Sequence, residues 1–120
     1  MTATPPIVAP SILSADFSRL EAELAVVDPA REWVHCDVMD NHFVPNLTFG
    51  PIIVGAVRKL TRAMLDVHLM MERPWMMVDE FRAAGADHIT VHLEVPPTGA
   101  SGGSDTPAGP GGGTSAVGAG

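Results

Sequence analysis

The chain has 120 residues, with 14 acidic and 7 basic side chains, which gives a formal net charge of −7. This balance argues against a nucleic-acid partner or an anionic membrane surface, since both need clustered basic residues. A single cysteine, Cys36, excludes an intramolecular disulfide, and no apolar stretch approaches the length of a membrane span. The composition therefore predicts a cytoplasmic protein without nucleic-acid or membrane partners.

The composition changes near residue 95. Residues 1–95 alternate strand-like and helix-like runs, whereas residues 96–120 are almost wholly Gly, Pro, Ala, Ser and Thr. Such a segment cannot bury enough apolar surface to offset its ordering entropy. We therefore predict one folded unit at 1–95 and a disordered tail at 96–120.

Strands and helices are predicted to alternate along the folded unit. Residues 17–27 carry apolar side chains at helical spacing, Pro51 suits the first turn of a helix, and Gly85 is placed to end one. Arg58, Lys59 and Arg62 fit the solvated face of the second helix. The predicted strands are 7–11, 33–39, 64–71 and 88–93, and the predicted helices are 17–27, 51–60 and 74–84. This order predicts an α/β fold of parallel strands joined by right-handed crossovers.

Polar residues in the strands favour a closed barrel over a doubly wound sheet. A doubly wound sheet buries both faces of its strands and favours continuous apolar runs. Here polar and apolar residues alternate, so that each strand has one apolar face. One face of the second strand carries Val34, Cys36 and Val38, and the other carries His35, Asp37 and Met39. Polar groups near the carboxyl ends of strands are typical of barrel active sites.

Two neighbouring strands carry a potential metal-ligand set. His35 and Asp37 lie on one face of a strand, about 6 to 7 Å apart, and His68 lies one crossover later on the adjacent strand, roughly 4.8 Å away. Two imidazoles and a carboxylate suit Zn²⁺, Fe²⁺, Mn²⁺ or Co²⁺. A single strand histidine is more often a hydrogen-bonded polar group than a ligand. Burying all three groups without an ion or partner would cost roughly several kcal/mol, which favours a functional site.

The remaining histidines are assigned less specific places. His42 and His88 are interpreted as loop and strand-edge residues. His92 is left open, since its position on the fourth predicted strand also fits the inward face.

Four segments resemble the ribulose-phosphate 3-epimerases of the pentose phosphate pathway. The resemblance runs from about residue 7 to residue 94 and rests on APSILSADF (9–17), HCDVMDNHFVPNLTFGP (35–51), LDVHLMMERP (65–74) and GADHITVHLE (85–94). It implies a (β/α)8 TIM barrel and the reversible, metal-assisted epimerisation of D-ribulose 5-phosphate to D-xylulose 5-phosphate at C3. A related epimerase of six-carbon ketose phosphates shares these motifs, so the length of the sugar is left open.

The resemblance also implies roles for individual residues. Asp37 matches the first acid-base residue, which moves the C3 proton through a 2,3-enediolate, and it also matches a metal ligand. His35 and His68 match the histidine ligands, and His68 also matches a substrate contact. Ser11 matches a substrate-contacting serine, while Met39 and Met70 match methionines that line the pocket.

Two departures from the family pattern affect the expected activity. Asn41 stands where the family usually has glycine, and Asn tolerates a left-handed backbone better than most residues. No segment matches the second catalytic aspartate, which is also a metal ligand in the family, or the phosphate-binding loops. We therefore expect only about the first four βα units of the barrel, inactive alone and prone to associate with a copy or a complementary half. The alternative is a non-catalytic metal-binding fragment.

Overall fold

Three parallel strands form the sheet of the computed structural model, which describes residues 4–95. The strands are β1 (Trp33–Met39), β2 (Met64–Met70) and β3 (His88–Thr90), in the order β1-β2-β3. Both pairings are parallel, which confirms the predicted α/β arrangement. The predicted tail at 96–120 lies outside the described residues.

The segment at 7–11 runs parallel to β1 without forming a continuous strand. The Trp33 amide donates to the Val8 carbonyl at 3.0 Å, and the His35 amide donates to the Pro10 carbonyl at 2.8 Å. Two isolated parallel bridges, Val8 to Glu32 and Ser11 to His35, mark the contact. Pro10 has no amide hydrogen, so it cannot donate to a ladder. The predicted first strand is therefore shorter and less regular than its sequence suggested, but it occupies the expected place.

Within residues 4–95, three α-helices and three short 3-10 turns accompany the strands. The helices are α1 (Leu20–Leu24), α2 (Pro51–Leu60) and α3 (Val78–Ala84). Asp16 caps the 3-10 turn before α1 through the Ser18 amide, and a second 3-10 turn, Pro74–Met76, precedes α3. The predicted bounds of α2 are confirmed, whereas α1 and α3 are shorter than predicted. No helix within residues 4–95 has both the length and the apolar character that a membrane span requires.

The hydrophobic core lies on one face of the sheet. Burial alternates along β1, and the buried residues of β1 and β2 pack in one cluster with residues of α2 and α3. The central members of this cluster are Val34, Cys36, Val38, Leu65, Val67, Leu69, Val54, Val57 and Phe81. Each large apolar side chain contributes about 1.5–3 kcal/mol through burial. The opposite face holds the half-buried polar residues, as the alternating sequence predicted.

Arg58 ties the amino-terminal ends of β2 and β3 together. Its guanidinium donates to the Thr61 and Ala63 carbonyls at 2.8 and 2.6 Å and to Asp87 Oδ2 at 3.0 Å. The same Asp87 oxygen accepts a hydrogen bond from the Leu65 amide at 2.8 Å. Arg58 is therefore half-buried and hydrogen-bonded rather than on the solvated face that the sequence suggested, because its guanidinium turns back over the end of α2 and also reaches Asp87 before β3.

Candidate metal and proton-transfer site

The parallel register brings the three predicted ligands together. Asp37 pairs directly with His68 across β1 and β2, and His35 lies two residues before Asp37 on the same face. All three side chains are half-buried, with exposed fractions of 24% for each histidine and 15% for Asp37. Their potential ligand atoms all lie within 4.8 Å of one another. Within residues 4–95 this is the one group of three or more side chains placed to hold a metal ion.

Asp37 is the centre of the group. Its Oδ1 atom lies 3.1 Å from Nε2 of His35 and 3.1 Å from Nδ1 of His68. Two adjacent ligand atoms that share a Zn²⁺ ion at about 2.0–2.2 Å are about 2.8–3.6 Å apart across octahedral to tetrahedral angles. The two distances from Asp37 Oδ1 therefore fit ligands of one small divalent ion.

The hydrogen-bonding capacity of His35 also fits a cation. Nδ1 of His35 lies 2.9 Å from Oδ2 of Asp66. An ionised carboxylate only accepts, so in a neutral His35 this contact places the proton on Nδ1 and leaves a lone pair on Nε2. That lone pair faces an oxygen of Asp37, and two acceptors at 3.1 Å repel unless a proton or a cation lies between them. The donor set thus suits a bound ion.

The second oxygen of Asp37 has a separate partner. The Ser11 hydroxyl donates to Oδ2 at 2.6 Å, while its oxygen accepts from the Leu13 amide at 3.0 Å. Burial opposes ionisation of the Asp37 carboxyl, but the Ser11 hydrogen bond and the two histidines outweigh it and lower its pKa. Asp37 is therefore a carboxylate at neutral pH.

Two loops beyond the strands are organised by Asp40. One of its oxygens accepts from the His42 and Phe43 amides, each at 2.9 Å, and the other accepts from the Glu72 amide at 2.9 Å. Asn41, the residue after Asp40, has φ of 62°. The left-handed backbone expected at this departure from the family pattern is therefore present. The loop after β1 is thereby held against the loop after β2.

The predicted substrate-contacting methionines end the two strands. Met39 and Met70 are direct partners in the register of β1 and β2, one step beyond the Val38 and Leu69 pair. Met39 also lines a cavity of ≈ 380 Å³ with Leu47, Phe49 and Met77. This cavity is largely apolar, and the charged group in its lining, Asp40, already accepts three backbone hydrogen bonds. The side chains able to bind a metal ion or move a proton therefore lie on the polar face of the strands, and the cavity provides mainly apolar contacts.

Two further residues contact the group and were not assigned to it from the sequence. Asp66 accepts from His35, and Nε2 of His92 lies 2.8 Å from Nε2 of His68. A signal for Asp66 existed, because it stands two residues before His68 and therefore shares its face. His42 and His88 stay outside the group, as expected, since His42 lies near Glu72 and His88 packs on Trp33.

Comparison with known proteins gives a consistent result. A sequence model of the ribulose-phosphate 3 epimerase family matches residues 7–101. Ribulose-phosphate 3-epimerase of Synechocystis sp. is 60% identical over 89 residues, which cover 73% of this chain and 39% of that protein. The Bacillus subtilis enzyme is 54% identical over 91 residues, covering 75% of this chain and 42% of that protein.

A chloroplastic relative shows the same pattern. Ribulose-5-phosphate-3-epimerase of Arabidopsis thaliana is 51% identical over 89 residues, covering 73% of this chain and 32% of that protein. The chain thus spans about two fifths or less of the length of these curated relatives. The residues matched by the family model, 7–101, include the strands that carry the site.

Proposed function

Because the chain belongs to the ribulose-phosphate 3-epimerase family, we propose that it supplies the metal-binding side of an enzyme that interconverts D-ribulose 5-phosphate and D-xylulose 5-phosphate. The observation that carries this proposal is the position of the Asp37 carboxylate. One oxygen faces both His35 and His68, and the other accepts from Ser11. A proton acceptor and a cation site therefore meet at one side chain.

The proposed architecture is the first part of a (β/α)8 barrel. The apolar face of the parallel strands packs on α2 and α3, and polar residues alternate onto the other face. This arrangement supports a barrel whose polar face points inward. The outer edges of β3 and of the segment at 7–11 have no strand partner among the described residues. Association of these edges with a copy of the chain or with a complementary half of a barrel remains a prediction.

Asp37 is the proposed base. Its lowered pKa keeps it ionised at neutral pH, so it can accept the C3 proton of the sugar. The electron pair of the C3–H bond then forms the C2–C3 double bond, and the negative charge moves to the C2 oxygen as an enediolate. Return of a proton to the same face regenerates the substrate, whereas return to the opposite face inverts C3. Asp37 serves one face, and a group on the other face completes epimerisation.

His35, Asp37 and His68 are the residues that would hold the ion, through Nε2, Oδ1 and Nδ1 respectively. The ion, when bound, supplies positive charge that stabilises the negative charge of the enediolate oxygens. Zn²⁺, Fe²⁺, Mn²⁺ and Co²⁺ all accept this ligand set, so we assign the class of ion and not the element.

The proposed substrate contacts surround Asp37. The Ser11 hydroxyl donates to its Oδ2 atom, which supports a proposed contact of Ser11 with a sugar hydroxyl there. Met39 and Met70 end the strands beyond it and provide a soft, apolar wall against the planar intermediate. His68 is assigned both to the ion and to the sugar.

Deuterium exchange tests this proposal without requiring inversion. The full 120-residue chain is incubated with millimolar D-ribulose 5-phosphate and Co²⁺ or Zn²⁺ in D₂O, and loss of the C3 proton signal is followed by NMR. We expect exchange at C3 that a chelator abolishes and that Asp37→Asn reduces by about 10²-fold or more. Asp79→Asn is the matched control, because Asp79 is 97% exposed on α3.

The outcomes separate the two functions considered. Exchange that depends on Asp37 and on metal supports the epimerase half-site. Metal binding with no exchange above the buffer rate would reject the catalytic proposal and leave a metal-binding fragment. Formation of D-xylulose 5-phosphate, measured in a coupled assay, would show that a donor for the opposite face is also present.

A further inference from the structure

The geometry points to His92 as a positioning residue that fixes the orientation and tautomer of His68. This inference rests on the proposed metal site, because it concerns how His68 presents a lone pair to the ion. His92 follows β3 and belongs to neither of the strands that carry the three ligands. It would be a second outer partner of the site, beside Asp66.

The contact between the two histidines is a hydrogen bond and not a stacking contact. Their Nε2 atoms are 2.8 Å apart, which is shorter than the separation of about 3.5 Å at which ring faces meet. The ring planes are inclined by 20° and the ring centroids are 4.9 Å apart. Nearly coplanar rings whose nitrogens are this close meet along their edges, as an N–H···N hydrogen bond requires.

The direction of this hydrogen bond follows from the other nitrogen of His68. Nδ1 of His68 faces Asp37 Oδ1 at 3.1 Å and needs a free lone pair to hold an ion there. A neutral imidazole has one N–H group, so the proton of His68 is then on Nε2. His92 must accept that proton's hydrogen bond through its own Nε2. His92 therefore carries its hydrogen on Nδ1.

The surroundings of His92 support this assignment. Its Nδ1 atom lies 3.7 Å from Oε2 of Glu94, which is too long for a direct hydrogen bond but favours an N–H group facing the carboxylate. The ring of Phe43 packs against it with centroids 4.8 Å apart, and the His92 carbonyl accepts from the Val95 amide at 3.2 Å. The imidazole is thus held from the side of the loop after β1 and by its own turn.

The two ligand histidines then have equivalent arrangements. Asp66 accepts from Nδ1 of His35 and leaves its Nε2 free, while His92 accepts from Nε2 of His68 and leaves its Nδ1 free. Both free nitrogens face the same oxygen of Asp37. Outer partners that fix ligand histidines in this way commonly change metal affinity by about 10–100-fold.

The tautomer of His68 in the unmodified chain is the first test. Long-range ¹H–¹⁵N NMR on histidine-labelled protein loaded with diamagnetic Zn²⁺, at a pH where the imidazoles are neutral, reports which ring nitrogen carries hydrogen. We expect Nε2–H for His68 and Nδ1–H for His92. An Nδ1–H tautomer of His68 would overturn the proposal without any variant.

Metal titration with two substitutions is the second test. His92→Phe keeps a ring against Phe43 but removes the acceptor, whereas His92→Gln restores an acceptor through its amide oxygen. We expect the Kd for Co²⁺, read from its visible absorption, to rise about 10–100-fold in H92F and to recover in part in H92Q. The matched control is His42→Phe, which changes an imidazole that is 67% exposed.

The possible failures are distinguishable. If the unmodified chain binds neither Co²⁺ nor Zn²⁺, the metal site of the proposed function is rejected, and the role of His92 with it. If the unmodified chain and H92F bind Co²⁺ equally, only the role of His92 is rejected. If H92Q binds as weakly as H92F although both melt like the unmodified chain, His92 acts through packing and the acceptor role is wrong.

Discussion

Asp66 lies directly opposite His35 in the parallel register of β1 and β2, and its Oδ2 atom is 2.9 Å from Nδ1 of the imidazole. The contact leaves Nε2 of His35 facing Asp37. Since Asn can either accept from or donate to Nδ1, Asp66→Asn permits both tautomers of His35 and removes a charge. We expect the Kd for Co²⁺ or Zn²⁺ to rise about 10–100-fold in a direct titration.

The control for this prediction removes the same charge elsewhere. Asp79→Asn changes an exposed carboxylate on α3 and should leave the Kd unchanged. Equal affinities for D66N and the unmodified chain would show that Asp66 does not orient His35.

Gly85 and Gly55 provide a matched pair for stability. Gly85 ends α3 with φ of 124°, and a Cβ atom there would lie 2.5 Å from Cδ of Arg58, whose guanidinium is fixed by hydrogen bonds. We expect Gly85→Ala to lower the free energy of unfolding by about 1–3 kcal/mol in denaturant titrations. Gly55 lies within α2, and no atom lies within 4 Å of a Cβ added there. Gly55→Ala should therefore raise the free energy of unfolding by about 0.5–1 kcal/mol.

The opposite signs make this pair informative. Both substitutions add one methyl group, so they differ mainly in backbone conformation and in the space available. A neutral or stabilising Gly85→Ala would contradict the close approach of Arg58 to the end of α3.

Arg58 should not tolerate replacement by lysine. Its guanidinium donates to the Thr61 and Ala63 carbonyls and to Asp87, and a single ammonium group cannot reach all three. We expect Arg58→Lys to lower the free energy of unfolding by about 1–3 kcal/mol, because carbonyls and a carboxylate lose their donors. Lys59→Arg is the control, and thermal and denaturant unfolding are the measurements. A loss no larger than that of the control would show that this network contributes little.

The fold was predictable where the sequence pattern is strong and local. Alternation in 33–39 and Pro51 at the start of α2 predicted both elements with their observed bounds. The ends of the other helices and strands depend on the backbone conformation of single residues, which hydrophobic periodicity does not predict. Met77, with φ of −120°, separates the turn at Pro74–Met76 from α3, and Pro10 interrupts the donors of the segment at 7–11.

The grouping of the three candidate ligands was predictable from the sequence, but the partners of these side chains were not. His35, Asp37 and His68 follow from two-residue periodicity on adjacent strands. The contact of His35 with Asp66 depends on the register between β1 and β2, which the length of a crossover does not determine. His92 depends in addition on the path of the chain after β3, where no regular pattern remains.

Cys36 should be unreactive in the folded chain. Its thiol should also make the free energy of unfolding fall as the pH rises into the alkaline range. The thiol is fully buried in the core, and burial, with the charges of Asp37 and Asp66, raises its pKa from 9.0 to about 12. In the unfolded chain the thiol ionises near its ordinary pKa, so rising pH favours unfolding once it exceeds about 9. The contribution of Cys36 is therefore complete below pH 9 and is progressively lost between pH 9 and 12.

Two measurements check this behaviour. Labelling with a thiol-specific alkylating reagent at pH 8 should proceed only as fast as the chain opens, and denaturant should accelerate it to the rate of a free thiol. The free energy of unfolding should fall more steeply between pH 9 and 10.5 in the unmodified chain than in Cys36→Ala, which has no thiol to ionise. Rapid labelling of the native chain, or equal pH slopes for the two proteins, would contradict the burial of the Cys36 side chain in the core. The comparison of slopes is valid even if Cys36→Ala is less stable overall, because the cavity left by the substitution does not titrate.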